Sequence, residues 1–159
     1  MLWWTARWRN TFLRRYNSTD KLTVLESIDD AATVYMGSSY RMPTIDEIRE
    51  LMNNTTQTFI DVDGNEYIYG TDTINIESEK LKGVRFTGSN GNSIFIPAAG
   101  SCGDFMLGGI GSTCLLWSSS SVSIVGHDSV VKCLHIYDGD YDDGLMIRGY
   151  GLPIRGVQL

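Results

Sequence analysis

The chain has 159 residues, of which 42% are hydrophobic and 20% charged, as expected for one globular domain with its own core. Its formal net charge is −6, although five of its 13 basic residues and only one of its 19 acidic residues fall within residues 1–21. The acidic remainder argues against nucleic-acid binding, which requires a basic surface. No apolar run approaches the roughly 20 residues of a membrane span, and Arg7 and Arg9 interrupt the start, so we expect neither a membrane helix nor a signal peptide.

A short first helix is predicted from the stretch SIDDAATVYMG. Ser27, Asp29 or Asp30 can cap its N-terminus, because a short polar side chain there accepts a hydrogen bond from an unpaired backbone amide. Gly37 ends it, since glycine adopts the backbone conformation that commonly terminates helices.

A second helix is predicted from the stretch MPTIDEIRELMNN. Pro43 disfavours helical geometry in the residue before it, so the helix begins after the proline. Thr44 and Glu47 form a capping box, in which each side chain accepts a hydrogen bond from the backbone amide of the other residue. Helical spacing places four apolar side chains on one face towards the core: Ile45, Ile48, Leu51 and Met52.

The chain then changes to short extended runs separated by turns. Asp63-Gly64 and Asn90-Gly91 are turn pairs typical of hairpins, and Pro97 ends the second hairpin. Further strands are predicted in LLWSSSS, VVKCLHIY, GLMIRGY and PIRGVQL. Two early helices followed by many antiparallel strands indicate an α+β fold, with Ile48, Phe95 and Trp117 assigned to its core.

The three cysteines, Cys102, Cys114 and Cys133, contain no metal-binding pair of the CxxC type. A disulfide between Cys102 and Cys114 would close a short loop in an oxidising compartment, but the odd count favours buried thiols.

An acidic cluster in YDGDYDDG offers weak candidates for calcium ligands in Asp138, Asp140 and Asp142. Aspartate and glycine are also ordinary turn residues, so we favour a solvated loop and expect no cofactor. The only histidines are His127 and His135, and neither lies in a catalytic motif; His135 alternates with Cys133 and Tyr137, which indicates a partly buried structural residue. We therefore expect no enzyme activity.

Four motifs in order, YRMPTIDEIRELM, GNSIFIPAAG, LLWSSSS and YGLPIRGVQ, resemble the DUF1566 or major paralogous domain group, which includes the Lcl C-terminal domain. The resemblance covers residues 24–159. Such domains occur in gut Bacteroidetes, in their phages and in adhesins. The resemblance implies a C-type-lectin-like fold with long irregular loops, whose first strand, within residues 1–23, pairs with the last.

The resemblance implies ligand binding rather than catalysis. The Glu-Pro-Asn, Gln-Pro-Asp and Trp-Asn-Asp motifs of calcium-dependent lectins are absent, so calcium-dependent sugar binding is not implied. The chain also resembles sulfatase-modifying factors more distantly, but it lacks their cysteine pair near the C-terminus, so their catalytic chemistry is not implied.

The predicted function is recognition of a cell-surface glycan or protein, outside the cell or on a virion, by an adhesin or a phage host-recognition or decoration protein. The contact surface is predicted in the Ser/Tyr/Asp-rich region Ser118–Tyr150, since such residues are typical of binding surfaces. The candidate residues are Tyr137, Asp138, Asp140, Tyr141, Asp142, Arg148 and Tyr150. The alternative is a structural assembly module that docks or self-associates through residues 1–16.

Overall fold

The computed structural model describes residues 16, 19–103, 106–122, 130–137 and 139–159, with Tyr141 described by its backbone only. The helices are α1 (Ala31–Met36) and α2 (Ile45–Asn53). The strands are β1 (Tyr40–Arg41), β2 (Thr55–Asp61), β3 (Glu66–Ile68), β4 (Leu81–Gly88), β5 (Ser93–Pro97), β6 (Ala99–Gly103), β7 (Met106–Ile110), β8 (Thr113–Ser121), β9 (Val130–Tyr137), β10 (Asp140–Asp142), β11 (Leu145–Ile147) and β12 (Val157–Gln158). Antiparallel strands dominate beside two short helices, which confirms the predicted α+β class.

Both predicted helices are present with the predicted caps. Asp30 caps α1 by accepting a hydrogen bond from the Thr33 amide at 2.9 Å, and Gly37 ends the helix. In α2 the Glu47 carboxylate accepts from the Thr44 amide at 2.8 Å, while the Thr44 hydroxyl accepts from the Glu47 amide at 3.3 Å. The capping box is therefore complete, and local sequence chemistry sets both helix starts.

A four-stranded antiparallel sheet in the order β3-β2-β4-β5 contains both predicted hairpins. Asp63-Gly64 lies between β2 and β3, and Asn90-Gly91 lies between β4 and β5. The assignment of Phe95 to the core is wrong in part, because Ile96 is 2% exposed whereas Phe95 is only half-buried. Successive residues of a strand point to opposite faces, so these neighbours do not share one core face.

A second sheet is built around β8 and β9 and separates two hydrophobic clusters. Alternate residues of β8, Cys114 and Leu116, pack with α2 and the first sheet. The intervening residues, Leu115 and Trp117, pack with α1 and Met42 on the other face. β10 and β11 both pair with β9 on the edge opposite β8. The predicted core positions of Trp117 and Ile48 are confirmed, each 2% exposed.

The run Ser118–Ser121 is buried at the end of β8, so the predicted contact surface Ser118–Tyr150 is wrong for its first four residues. Each side-chain oxygen has a partner on another segment of the chain. The Ser118, Ser119 and Ser121 hydroxyls donate to Lys132 O at 2.7 Å, Pro43 O at 3.2 Å and Leu22 O at 2.7 Å, and Ser120 Oγ accepts from the Ile45 amide at 3.0 Å. These serines are structural because their hydroxyls hydrogen-bond to four backbone groups of other segments.

The last strand, β12, pairs with β1, with Tyr40 opposite Gln158 and Arg41 opposite Val157. The predicted first strand within residues 1–23 lies largely outside the described residues, as does the docking segment 1–16 apart from Tyr16.

All three cysteines are free thiols, and burial raises the pKa of Cys114 and of Cys133 to about 12. No disulfide joins Cys102 to Cys114. In the part of the chain described, no helix has the length and hydrophobicity required to cross a membrane.

Substitution Ser120→Ala tests the serine strand. Ser120 is 8% exposed, so its loss leaves the Ile45 amide buried without this acceptor. We expect the free energy of unfolding to fall by about 1–3 kcal/mol, measured by urea denaturation. The exposed Ser93→Ala is the control and should change it by less than about 0.5 kcal/mol. An equal effect of the two substitutions would contradict the role of the Ser120 hydroxyl.

Glu47 predicts a pH dependence of stability. The hydrogen bond from Arg41, opposed by burial and assisted by Thr44, lowers the pKa of Glu47 from 4.5 to about 2. A carboxylate with a lowered folded-state pKa stabilises the fold above its unfolded pKa and loses that contribution as pH falls through its folded pKa. We expect wild type to be more stable than Glu47→Gln at pH 7 and the difference to vanish between about pH 4.5 and 2. Urea denaturation across that range measures it, and a pH-independent difference would exclude the carboxylate charge as the cause.

Candidate functional site

The hairpin formed by β9 and β10 brings together several residues predicted to bind a ligand. Its register places Asp140 opposite Tyr137 and Asp142 opposite His135. The turn contains Gly139, whose φ of 74° lies in the left-handed region that glycine adopts without steric cost. A tight turn thus sets two carboxylates beside two rings.

Tyr137 and His135 form an aromatic pair on one face of β9. Their ring centroids lie 4.6 Å apart at an interplanar angle of 33°. Residues two apart in a strand point to the same face, which accounts for the contact. Tyr137 is 42% exposed, so its ring is held by His135 yet remains accessible to a ligand.

The two carboxylates are also positioned by ring side chains. Asp140 Oδ1 accepts a hydrogen bond from the Tyr69 hydroxyl at 3.1 Å. Asp142 Oδ1 lies 3.9 Å from His135 Nδ1, and the Asp142 side chain is 52% exposed. We call His135, Tyr137, Asp140 and Asp142 the hairpin ledge.

Asp143 anchors the hairpin to the rest of the fold. It accepts hydrogen bonds from Arg49 of α2 and from Lys132 of β9, the latter at 3.2 Å. Burial acts to raise the pKa of Asp143, but the hydrogen bonds and charges of Arg49 and Lys132 outweigh it and lower the pKa. These two cations are therefore engaged by Asp143 at the base of the hairpin.

A cleft of about 330 Å³ opens beside the ledge and includes Tyr137 and Gly139 in its wall. Its apolar residues are Phe59, Ile74, Ile76 and Leu81, and its polar residues are Asn75, Glu77, Ser78, Ser112 and Thr113. Gly111 completes the lining where the chain passes close to Glu79: a Cβ at Gly111 would lie 2.4 Å from Glu79 O. This volume falls at the lower end of the roughly 300–1,000 Å³ of small-molecule pockets.

The structure places the remaining predicted site residues differently. Arg148 is 4% exposed and donates to Tyr16 O and Val130 O, so its guanidinium links interior segments and does not reach the surface. Tyr150 is half-buried, and its ring packs against Gly103, where a Cβ would lie 2.7 Å from it. Asp138 and the Tyr141 side chain lie outside the described residues.

Sequence reasoning missed the site roles of His135 and Tyr69 and the cleft segment 74–78. His135 lies two residues before Tyr137 in a strand, and this spacing indicates that the two rings share one face. Nothing local indicates that Tyr69 reaches Asp140, because that contact spans 71 positions.

Among the residues that the structure describes, no group of three or more His, Cys, Asp or Glu side chains is placed so that it could hold a metal ion.

No protein-family model matches the chain, and no curated protein or solved structure is significantly similar to it.

Proposed function

We propose that the chain is a non-catalytic binding module that recognises a cell-surface glycan or protein. In this proposal it has the C-type-lectin-like fold of the DUF1566 group and acts outside the cell or on a virion, as an adhesin or a phage host-recognition or decoration protein. The observation that carries the proposal is the hairpin ledge, an exposed and supported ring beside two carboxylates at the mouth of a cleft.

The ledge has the chemistry of a recognition surface. A tyrosine ring supplies rigid apolar contact area, and carboxylates accept hydrogen bonds from hydroxyl or N–H donors of a ligand. The Tyr137 ring lies against the His135 ring in a tilted contact and Asp140 is bonded to Tyr69, so binding requires little ordering of these side chains. The matching ligand presents an apolar face and several donors, as both sugar rings and polar protein loops do.

The electrostatics of the ledge favour a neutral or cationic ligand. Asp140 and Asp142 contribute negative charge, and the neighbouring cations Arg49 and Lys132 are engaged by Asp143. The whole chain carries a net charge of −6, which disfavours anionic ligands further.

Substitution Tyr137→Ala tests the ledge. Removing a central aromatic contact is expected to weaken binding by at least about tenfold, as for aromatic anchors at other interfaces. Retention on a glycan array and on candidate host cells measures this, with affinity then determined for the retained ligand.

The matched control is Tyr35→Ala, which removes a tyrosine that is 53% exposed on α1, remote in sequence from the ledge. It should leave binding unchanged, as should a metal chelator, because the proposal requires no calcium. Equal binding by wild type and Tyr137→Ala would show that the ledge does not contact the ligand. Loss of binding with the chelator would show that binding depends on a metal ion, contrary to the proposal.

A second candidate function, a structural assembly module, is favoured by the hairpin of β6 and β7. Met106, Leu107 and Ile110 are 75%, 57% and 51% exposed on β7. The described residues of this hairpin carry no charged side chain, although natural edge strands are often protected by charges. An apolar, uncharged strand of this kind is suited to burial in an assembly.

Substitution Leu107→Lys tests the assembly function. A charge on this strand should prevent its burial and shift any assembly to monomer, measured by light scattering after size-exclusion chromatography. Val62→Lys, at a residue 54% exposed outside this hairpin, is the control and should assemble as wild type. A wild-type chain that remains monomeric at high concentration would argue against self-assembly through β7.

A further inference from the structure

A second concavity lies between α2, β5 and the C-terminal segment, and it shares no lining residue with the cleft beside the ledge. Its volume is about 310 Å³. It is lined by Pro43, Glu47, Ile48, Leu51, Ile94, Leu116, Arg155, Gly156 and Val157, which we call the helix groove. Four segments far apart in sequence therefore build one groove, since Leu116 of β8 also belongs to the lining. The inference drawn from this groove goes beyond the function proposed above.

The interior of the helix groove is apolar. Ile48 and Leu116 are buried at 2% and 5% exposure, while Leu51, Ile94 and Val157 are half-buried. A ligand chain entering the groove would remove this partly exposed apolar surface from water, which is favourable in proportion to the area covered. The groove thus fits the apolar part of a ligand.

The two charged residues of the groove differ in what they offer to a ligand. Glu47 is held by Arg41, whose Nη1 lies 2.6 Å from Glu47 Oε2 and whose Nη2 lies 2.5 Å from Glu47 Oε1. That carboxylate is already neutralised and cannot serve as a free acceptor.

Arg155 supplies a cation that no carboxylate of the described residues neutralises. Its side chain is exposed, and its Nη1 donates to the neutral carbonyl of Phe95 at 3.2 Å. Within the described part of the chain Arg155 forms no ion pair. A guanidinium carries several N–H donors in a planar fork that matches a carboxylate, so Arg155 retains donors for an anion beside the apolar groove.

We propose that the helix groove binds an amphipathic carboxylate, with an apolar chain lying against Leu51, Ile94 and Val157 and its carboxylate on Arg155. The charge complementarity at Arg155 selects the anion, and the apolar lining selects the chain. The site is independent of the hairpin ledge, so it holds or fails separately from the proposed function.

Octanoate and 1-octanol are suitable probes, because they share an eight-carbon chain and differ in the charged group. We expect octanoate, titrated into the ¹⁵N-labelled full chain and followed by two-dimensional NMR, to shift the amides of Leu51, Ile94 and Val157. Its affinity should exceed that of octanol by about tenfold, as a charge-assisted contact implies.

Substitution Arg155→Gln should reduce octanoate affinity about tenfold and leave octanol affinity unchanged. Lys82→Gln removes one positive charge from an exposed residue outside the groove lining and is the matched control. Equal affinities for octanoate and octanol, or equal losses with both substitutions, would overturn the role of Arg155.

Substitution Leu51→Trp tests the apolar part by filling the groove from α2, and it should abolish binding of both probes. Its thermal unfolding and amide spectrum establish whether it folds; if it does not, Val157→Trp fills the groove from the other side. Absence of octanoate shifts in wild type, or octanoate binding that persists in a folded filled variant, would overturn the proposal.

Discussion

The buried serines at the end of β8 must all be hydrogen-bonded, and this requirement constrains how the helices and the central sheet are arranged. A buried hydroxyl destabilises a fold unless it is hydrogen-bonded, so Ser118–Ser121 can occupy the interior only where partners meet them. Those partners belong to β9, to the start of α2 and to the segment before α1. Backbone hydrogen bonds from the Leu25 amide to Ser119 O and from the Ser121 amide to Thr23 O hold the segment before α1 against the end of β8. The serines therefore fix the relative positions of the first helices and the central sheet.

The central sheet, once fixed, determines where a ligand can reach the protein. Its two faces are covered by separate clusters, and along β9 Cys133 is fully buried, His135 half-buried and Tyr137 exposed. Exposure increases along this face towards the end of β9, where the turn at Gly139 returns the chain as β10. The ledge occurs where the sheet extends beyond its covering, so its rings rest on a rigid support while one side remains open.

Local chemistry made much of the fold predictable, whereas tertiary packing decided the parts that were missed. Thr44 with Glu47, and the turn at Asp63-Gly64, act within a few residues and were read correctly from the sequence. The burial of Ser118–Ser121 and of Arg148 depends on partners up to 132 positions away, which no local pattern reveals. The same applies to the candidate site: the local sequence singles out Tyr137 and Asp140, but the Tyr69 hydroxyl reaches Asp140 across 71 positions.

Helix α2 links the two candidate binding surfaces through different faces. Arg49 reaches Asp143 at the base of the ledge hairpin, while Ile48 and Leu51 line the helix groove. Arg49 and Lys132 lower the pKa of Asp143, so its carboxylate stays ionised, and bonded to Arg49, to a lower pH than an unpaired aspartate would. The surfaces nevertheless differ in charge, since the ledge carries carboxylates and the groove carries Arg155. A single ligand chemistry would not suit both, so the two sites proposed for this chain have opposite charge selectivity although both are built in part on α2.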